Sequence, residues 1–182
     1  MGPKLVITSI IITAAVFAVA WVGDQTGSTL YGIPLMTAMA LGIFGVQWVG
    51  LIHARLFETE HYFDLVGSLT YVTVTILAIQ QAAEIGLRQQ IIAGVVIVWA
   101  ARLGPFLFRR IQKAGEDRRF RKIKLSTPRF LVTWTLQGTW VFLTAGAALA
   151  AIMTPNTAPL GTVFFVGAAM WVLGFAVEVI AD

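Results

Sequence analysis

Arg102 is the residue whose position in this sequence most strongly indicates chemistry. It lies inside an apolar segment that runs directly into a stretch rich in arginine and lysine. An ionised side chain at that depth in a membrane costs about 2.5–3.5 kcal/mol, so an intramembrane arginine usually faces an acid, a cavity or an anion. Arg109 follows two helical turns later and points in roughly the same direction, and Arg110 and Lys113 extend this face.

Guanidinium groups stacked in this way suit a phosphate-bearing ligand, because their planar fork matches the oxygens of a phosphate. Two alternatives stay open at this point. Arg102 can instead pair with an acid from another helix, and Arg109 and Arg110 can simply anchor their helix at the lipid headgroups.

Two pairs of acids, each with members four residues apart, are candidates for the rest of a site. In the first pair, Glu60 and Asp64 share one helix face if the third helix begins early. A carboxylic acid beside a phenol can polarise a substrate carbonyl, which is how hydride addition to an enone is assisted. The alternative is a solvated loop that ends in a helix cap.

The second pair, Glu178 and Asp182, lies at the end of the last apolar segment. Two acids at a helix C-terminus oppose the helix dipole, so their presence calls for a reason. They are suited to accept hydrogen bonds from the ribose or amide groups of a nucleotide. Equally, they can neutralise Arg102 or the basic stretch.

The composition places these residues in a membrane protein. Of the 182 residues, 58% are hydrophobic and only 12% are charged, whereas a soluble domain carries about a quarter charged residues. The lack of cysteine excludes disulfides and thiolate metal sites, and two histidines leave little room for a metal site, so we expect none. Nine of the 13 basic residues lie between positions 109 and 129. Such a local patch is a poor match to nucleic-acid binding, so no nucleic-acid partner is expected.

Six apolar stretches are long enough to cross a bilayer core of about 30 Å as helices. They predict an all-α, polytopic membrane bundle in a single domain, 1–182, with turn-rich connections at 23–32 and 154–161. The positive-inside rule places the basic loop 109–129 in the cytoplasm, and both termini then lie on that side. The predicted spans are 5–22, 33–52, 63–80, 90–108, 130–153 and 162–180.

The stretch 99–140 contains an ordered pattern that topology alone does not require. It reads Arg-x-Gly-Pro-Phe-x-x-Arg-Arg-Ile-x-x-x-Gly-Glu-Asp-x-Arg-Phe, followed by Pro-Arg-Phe and a Gln-Gly-x-Trp helix. This pattern resembles the bacterial branch of the steroid 5-alpha-reductase-like membrane proteins, of the DUF1295 type. Residues 63–71 and 174–182 resemble the same family, so the resemblance covers roughly the second two-thirds of the chain in matching order.

The resemblance implies an integral oxidoreductase of the bacterial inner membrane. Such an enzyme passes hydride from NADPH to a carbon–carbon double bond conjugated with a ketone. By the same resemblance, Arg102 contacts the cofactor, and Glu178 and Asp182 bind its polar groups. Glu60 is the nearest match to the acid that engages the substrate ketone.

The chain departs from the family pattern in two places. Trp99 stands where the steroid-reducing branch has a tyrosine that hydrogen-bonds the ketone, and Tyr71 or Tyr62 is the candidate to replace that phenol. The family also continues past the position of Asp182 with a further helix. We therefore expect this chain to lack part of the family's cofactor pocket.

These features together predict an NADPH-dependent reductase of a hydrophobic, 3-oxo-4-ene steroid-like enone that is drawn from the lipid bilayer. Arg102, Arg109 and Arg110 are the candidates to hold the cofactor phosphates. Glu60 and Tyr71 are the candidates to act on the ketone.

Two other functions remain open. The first is an S-adenosylmethionine-dependent membrane methyltransferase of the isoprenylcysteine type, whose cationic ligand has no phosphates and so gives the arginine face no role. The second is a small non-enzymatic transporter or assembly protein, in which Arg102 pairs with Glu178 or Asp182 as a structural ion pair.

Overall fold

Apolar runs of about 20 residues become helices in a membrane because the bilayer core offers no water to pair with backbone polar groups. The structure is a computed structural model that describes residues 2–24, 27–155 and 159–182. Within these ranges it has six helices, each long and apolar enough to cross a membrane, which confirms the predicted polytopic all-α fold. The helices are α1 (Gly2–Val22), α2 (Leu35–Leu56), α3 (Phe63–Gln81), α4 (Leu87–Ala114), α5 (Thr127–Met153) and α6 (Thr162–Ala181).

Helix α4 differs most from its predicted span. The helix continues to Ala114, well past the predicted end of the span, because arginine and lysine are good helix formers and extend it beyond the apolar signal. It ends at Gly115, whose φ of 78° is the left-handed conformation that glycine adopts readily. Arg109, Arg110 and Lys113 therefore lie on a helix, and the loop to α5 begins at Gly115.

A small hairpin, which the sequence did not predict, precedes α2. Its strands, β1 (Thr29–Leu30) and β2 (Ile33–Pro34), pair antiparallel. Tyr31 and Gly32 join them with φ values of 51° and 79°, the positive angles of a two-residue type I′ turn. The first strand and the turn lie within the connection predicted as turn-rich, 23–32, whereas Ile33 and Pro34 had been predicted to begin the second span. Part of that connection, and part of the one before α6, falls outside the described residues.

Helix α5 occupies the centre of the bundle, where it packs against α1, α2, α3 and α4. The main apolar core lies among these helices and includes Phe44 on α2 and Leu149 on α5. Helix α6 is different, because none of its residues is buried. It is tied to α4 mainly by polar and aromatic contacts, which are described with the site below.

Most of the charged residues gather at one end of the bundle, whereas Asp24, Glu84 and Arg88 lie at the other end, at the α1–α2 and α3–α4 connections. Arg55, near the end of α2, donates to the Lys124 carbonyl at 3.2 Å. His61 Nε2 lies 3.2 Å from the carbonyl oxygen of Gly115, which joins the α2–α3 connection to the end of α4. We call this end, with the loop 115–126, the basic end.

Gly104 lets α3 and α4 approach closely, and its replacement gives a first testable prediction. A Cβ at this position would lie 2.6 Å from Cβ of Ser68 on α3, a distance that only a shift of one helix can relieve. We expect Gly104→Ala to lower the free energy of unfolding by about 1–3 kcal/mol, measured as a lower thermal midpoint in detergent. Gly94→Ala, on the same helix with nothing within 4 Å, is the matched control. Equal midpoints for the two variants would show that this contact is not tight.

Candidate functional site

One face of α3 carries four residues at the spacing i, i+3, i+4, i+7, namely Asp64, Gly67, Ser68 and Tyr71. This spacing aligns side chains along one side of a helix. The face borders an apolar cavity of about 580 Å³, a volume within the usual range of small-molecule sites. Helices α4 and α5 supply mainly large apolar side chains to this cavity, among them Trp99, Leu103, Leu107, Leu136 and Trp140.

The Tyr71 hydroxyl lies at the end of the apolar cavity that is remote from the basic end. Its hydrogen-bond partner is Oγ1 of Thr144 on α5. Thr144 Oγ1 itself donates to the Trp140 carbonyl at 2.7 Å, so Tyr71 supplies the proton of the bond between the two hydroxyls. The Trp99 ring packs edge-on against Tyr71 with 5.0 Å between centroids. Packing and hydrogen bonding thus fix this phenol in place.

A neighbouring face of α4 borders a second concavity, a cleft of about 730 Å³ that we call the cationic cleft. Arg102, Arg109, Arg110 and Lys113 line it. Within the described parts of the chain, the last three form no ion pair, although the Arg110 guanidinium lies 5.9 Å from the centre of the Phe106 ring. Three unpaired cations around one cleft attract an anion, because their fields add.

Pro105 gives the cationic cleft a backbone acceptor as well. Proline has no N–H, so the carbonyl of Ala101, one turn earlier, has no helical donor. Both residues line the cleft. The cleft therefore offers side-chain cations, the Asp182 carboxylate that is paired with Arg102, and one backbone carbonyl. This combination suits a ligand with phosphate oxygens and some hydrogen-bond donors.

Arg102 is the cation of this group that already has partners. Its Nη1 lies 2.9 Å from Glu178 Oε1 and its Nη2 lies 2.5 Å from Asp182 Oδ2. The indole N–H of Trp99 donates to the second oxygen of Glu178 at 2.9 Å, and the Phe175 ring lies 5.8 Å from the guanidinium. Arg102 thus joins α6 to α4, which is the pairing with an acid of another helix that the sequence left open.

Glu60 lies outside the apolar cavity. Its side chain is only 2% exposed, and Oε2 accepts from Lys124 Nζ at 2.8 Å, while Oε1 lies 3.4 Å from the Asp117 backbone nitrogen. Both partners belong to the loop 115–126. The structure therefore does not bring Glu60 and Tyr71 to the same cavity, and it gives Glu60 the surroundings of a loop anchor.

Asp64 is the acid that reaches the apolar cavity, at its basic end. It accepts from Arg119 Nη2 at 2.9 Å. Arg119 also bonds Asp117. Burial raises the pKa of the Asp117 carboxyl, but the hydrogen bonds from Arg119 outweigh burial and hold this pKa below its usual value. The loop between α4 and α5 is thus pinned over the start of α3 by ion pairs.

The comparison with known proteins fits this region. A family model for proteins of unknown function, DUF1295, matches residues 50–182. The chain belongs to the DUF1295 family. The matched range contains the apolar cavity, the cationic cleft and every candidate residue named above, so both concavities lie in the DUF1295 region. No curated protein and no solved structure matches the chain.

The family model confirms the resemblance to the DUF1295 type drawn from the pattern at 99–140. Asp64 was a candidate from the sequence, but as the partner of Glu60. Its seven-residue spacing to Tyr71 places it on the helix face of that phenol instead. Thr144 had no local signal, because its role depends on how α5 packs against α3.

Proposed function

We propose that this protein is a membrane-embedded NADPH-dependent oxidoreductase that reduces the carbon–carbon double bond of a hydrophobic enone. The observation that carries the proposal is the pairing of two concavities on neighbouring faces of α4. One is a cleft with cations that lack acidic partners, and the other is an apolar cavity that ends at a fixed phenol. A dinucleotide phosphate needs the first and an apolar substrate needs the second.

The cationic cleft fits the cofactor through its unpaired charges. Arg109, Arg110 and Lys113 are proposed to hold phosphate oxygens, for which the arginine fork gives the better geometry. Glu178 and Asp182 are proposed to accept hydrogen bonds from the cofactor's polar groups while they hold Arg102 in the wall of the cleft. When bound, the cofactor supplies the hydride, and the protein supplies position and field.

The apolar cavity is proposed to take the substrate from the bilayer. Leu136 and Trp140 of α5 line it and are also exposed at the helix surface, so the cavity is open toward lipid. Tyr71 already carries its proton toward a hydroxyl, and rotation about its C–O bond redirects that proton to a substrate carbonyl. Such a bond stabilises the negative charge that develops on the carbonyl oxygen.

The membrane is proposed to be the bacterial inner membrane, with the basic end in the cytoplasm. The positive-inside rule supports this orientation, because nine of the 13 arginines and lysines lie between positions 109 and 129, in the loop and the helix ends beside it. In that orientation the cationic cleft faces the compartment that holds the cofactor. Substrate then arrives laterally and cofactor arrives from the cytoplasm.

Binding of NADPH to the purified chain in detergent tests the proposal. We expect saturable quenching of tryptophan fluorescence, with NADH weaker and S-adenosylmethionine without effect. Loss of charge-assisted hydrogen bonds costs about 1.5–3 kcal/mol each, so the double variant Arg109→Ala/Arg110→Ala is expected to weaken NADPH binding by at least about 10-fold. Lys122→Ala removes a loop cation that does not line the cleft and serves as the control.

Equal weakening by Lys122→Ala would indicate a general charge effect and contradict a defined phosphate site. Binding of S-adenosylmethionine in preference to NADPH would favour the methyltransferase. Absence of binding by either ligand would contradict the proposal for this chain. The transporter or assembly role has its own support, because Arg102 is already paired with both acids of α6.

A further inference from the structure

The apolar cavity has a polar group at each end of one helix face. Asp64 and Tyr71 are seven residues apart on α3, two turns, so their side chains point to the same side about 10 Å apart along the axis. Between them this face carries only Gly67 and Ser68. The opposite walls are largely apolar, and their polar members include Gln137, whose Oε1 is buried without a hydrogen-bond partner in the described residues. A ligand that uses both ends must therefore be elongated and mostly apolar in the middle.

Asp64 is the only charged residue among those that line the cavity in the described parts of the chain. Only one of its oxygens, Oδ2, is bonded to Arg119. The other oxygen, Oδ1, has no hydrogen-bond partner in those parts of the chain, and it is not among the buried polar atoms that lack one. Asp64 therefore presents a free acceptor at the accessible, basic end of the cavity.

We infer that Asp64 is a specificity-determining residue that selects a substrate with a hydrogen-bond donor, such as a hydroxyl, at the end remote from the enone. This inference rests on the proposed function where it assigns the enone end to Tyr71. A hydroxyl donates to Oδ1. A carboxylate at the same place has no proton to donate and adds a second negative charge beside that of Asp64, so the two like charges repel each other. A ketone offers no donor and leaves Oδ1 unpaired.

Equilibrium binding of three matched probes, without cofactor, tests this inference. The probes are 3-oxo-4-ene steroids that carry a hydroxyl, a ketone or a carboxylate at the far end of the ring system. Trp99 and Trp140 line the cavity, so tryptophan fluorescence reports occupancy. We expect the hydroxyl probe to bind about 10-fold tighter than the ketone, since sites built to accept a hydroxyl discriminate strongly against analogues that lack it. The carboxylate probe is expected to bind weakest.

Two variants separate the charge of Asp64 from its role as an acceptor. Asp64→Asn keeps an oxygen for Arg119 and removes the charge, so the carboxylate probe is expected to gain about 10-fold in affinity. Asp64→Ala removes the acceptor, so the hydroxyl probe is expected to fall to the affinity of the ketone probe. Glu84→Ala, at an exposed acid remote from the cavity, is the control and is expected to keep the wild-type order.

The outcomes distinguish this inference from the proposed function. An unchanged order of the three probes in Asp64→Asn, or no binding of any probe to the wild-type chain, would overturn the inference. If the order changes as expected but NADPH does not bind, the inference stands and the oxidoreductase proposal fails. Because Asp64→Asn keeps the contact with Arg119, it remains informative even if Asp64→Ala fails to fold.

Discussion

Replacement of Arg102 by alanine is expected to lower the free energy of unfolding by about 2–3 kcal/mol and to loosen α6 from α4. One guanidinium neutralises both Glu178 and Asp182, so its loss leaves two carboxylates without a cation. Breaking a buried ion pair by removing one partner costs about 3–5 kcal/mol. We expect a loss at or below the lower end of this range, because the Arg102 side chain is 24% exposed. The measurement is the midpoint of thermal unfolding in detergent, monitored by tryptophan fluorescence.

The control for this prediction is Arg109→Ala, which removes an equal charge from the same helix. Arg109 has no ion-pair partner in the described residues, so its loss is expected to change the midpoint little while it weakens NADPH binding. Arg102→Lys keeps the positive charge but not the two nitrogens that bond Glu178 and Asp182 at once. We therefore expect a thermal midpoint between those of wild type and Arg102→Ala. An Arg102→Ala protein as stable as wild type would contradict the view that this residue fastens α6, and would leave it only a ligand-binding role.

The membrane fold was predictable because each span must satisfy its own backbone polar groups, which forces a long apolar helix at each hydrophobic run. The helix ends were less predictable. The apolar signal of α4 fades before the arginines, yet those residues favour helix, and the end is set by Gly115. The hairpin at Tyr31 was also missed, because two strands of two residues are too short for an alternating pattern.

The candidate site was predictable where its members share one helix. The spacings of Arg102 to Arg109 and of Asp64 to Tyr71 each place two side chains on one face. Contacts between helices were not predictable in the same way. Arg102 and Glu178 form an ion pair although they are 76 residues apart in the sequence. From the sequence alone, the basic loop and the cofactor were equally good partners for Glu178.

Glu60 is a second residue whose contact with a distant part of the chain could not be predicted from the sequence. Its position before α3 and its resemblance to a substrate-binding acid predicted a catalytic role. The structure pairs it with Lys124, 64 residues later. Which loop cation reaches which acid depends on the path of the loop 115–126, and no local pattern encodes that path. The catalytic role of Glu60 stays a prediction, and a stability measurement can separate it from the anchoring role.

Lys124→Met is expected to destabilise the protein by about 3 kcal/mol, because it leaves the buried Glu60 carboxylate without its cation. Glu60→Gln is expected to cost less, since its amide fits the same space and Lys124, whose side chain is 30% exposed, can turn toward water. Lys122→Met removes a loop cation without an ion-pair partner in the described residues, and little change is expected. The measurement is again the thermal midpoint in detergent.

The double variant Glu60→Gln/Lys124→Met decides how the pair acts. If the ion pair anchors the loop, the double variant is more stable than Lys124→Met alone, because no unpaired carboxylate remains. The coupling between the two positions is then large, and binding of the enone probes to Glu60→Gln stays close to wild type. If Glu60 instead contacts the substrate, Glu60→Gln keeps the wild-type midpoint and loses affinity for the probes. The anchoring role thus changes the thermal midpoint, whereas the substrate-binding role changes the affinity for the probes. The burial of Glu60 and its contact with Lys124 favour the anchoring role.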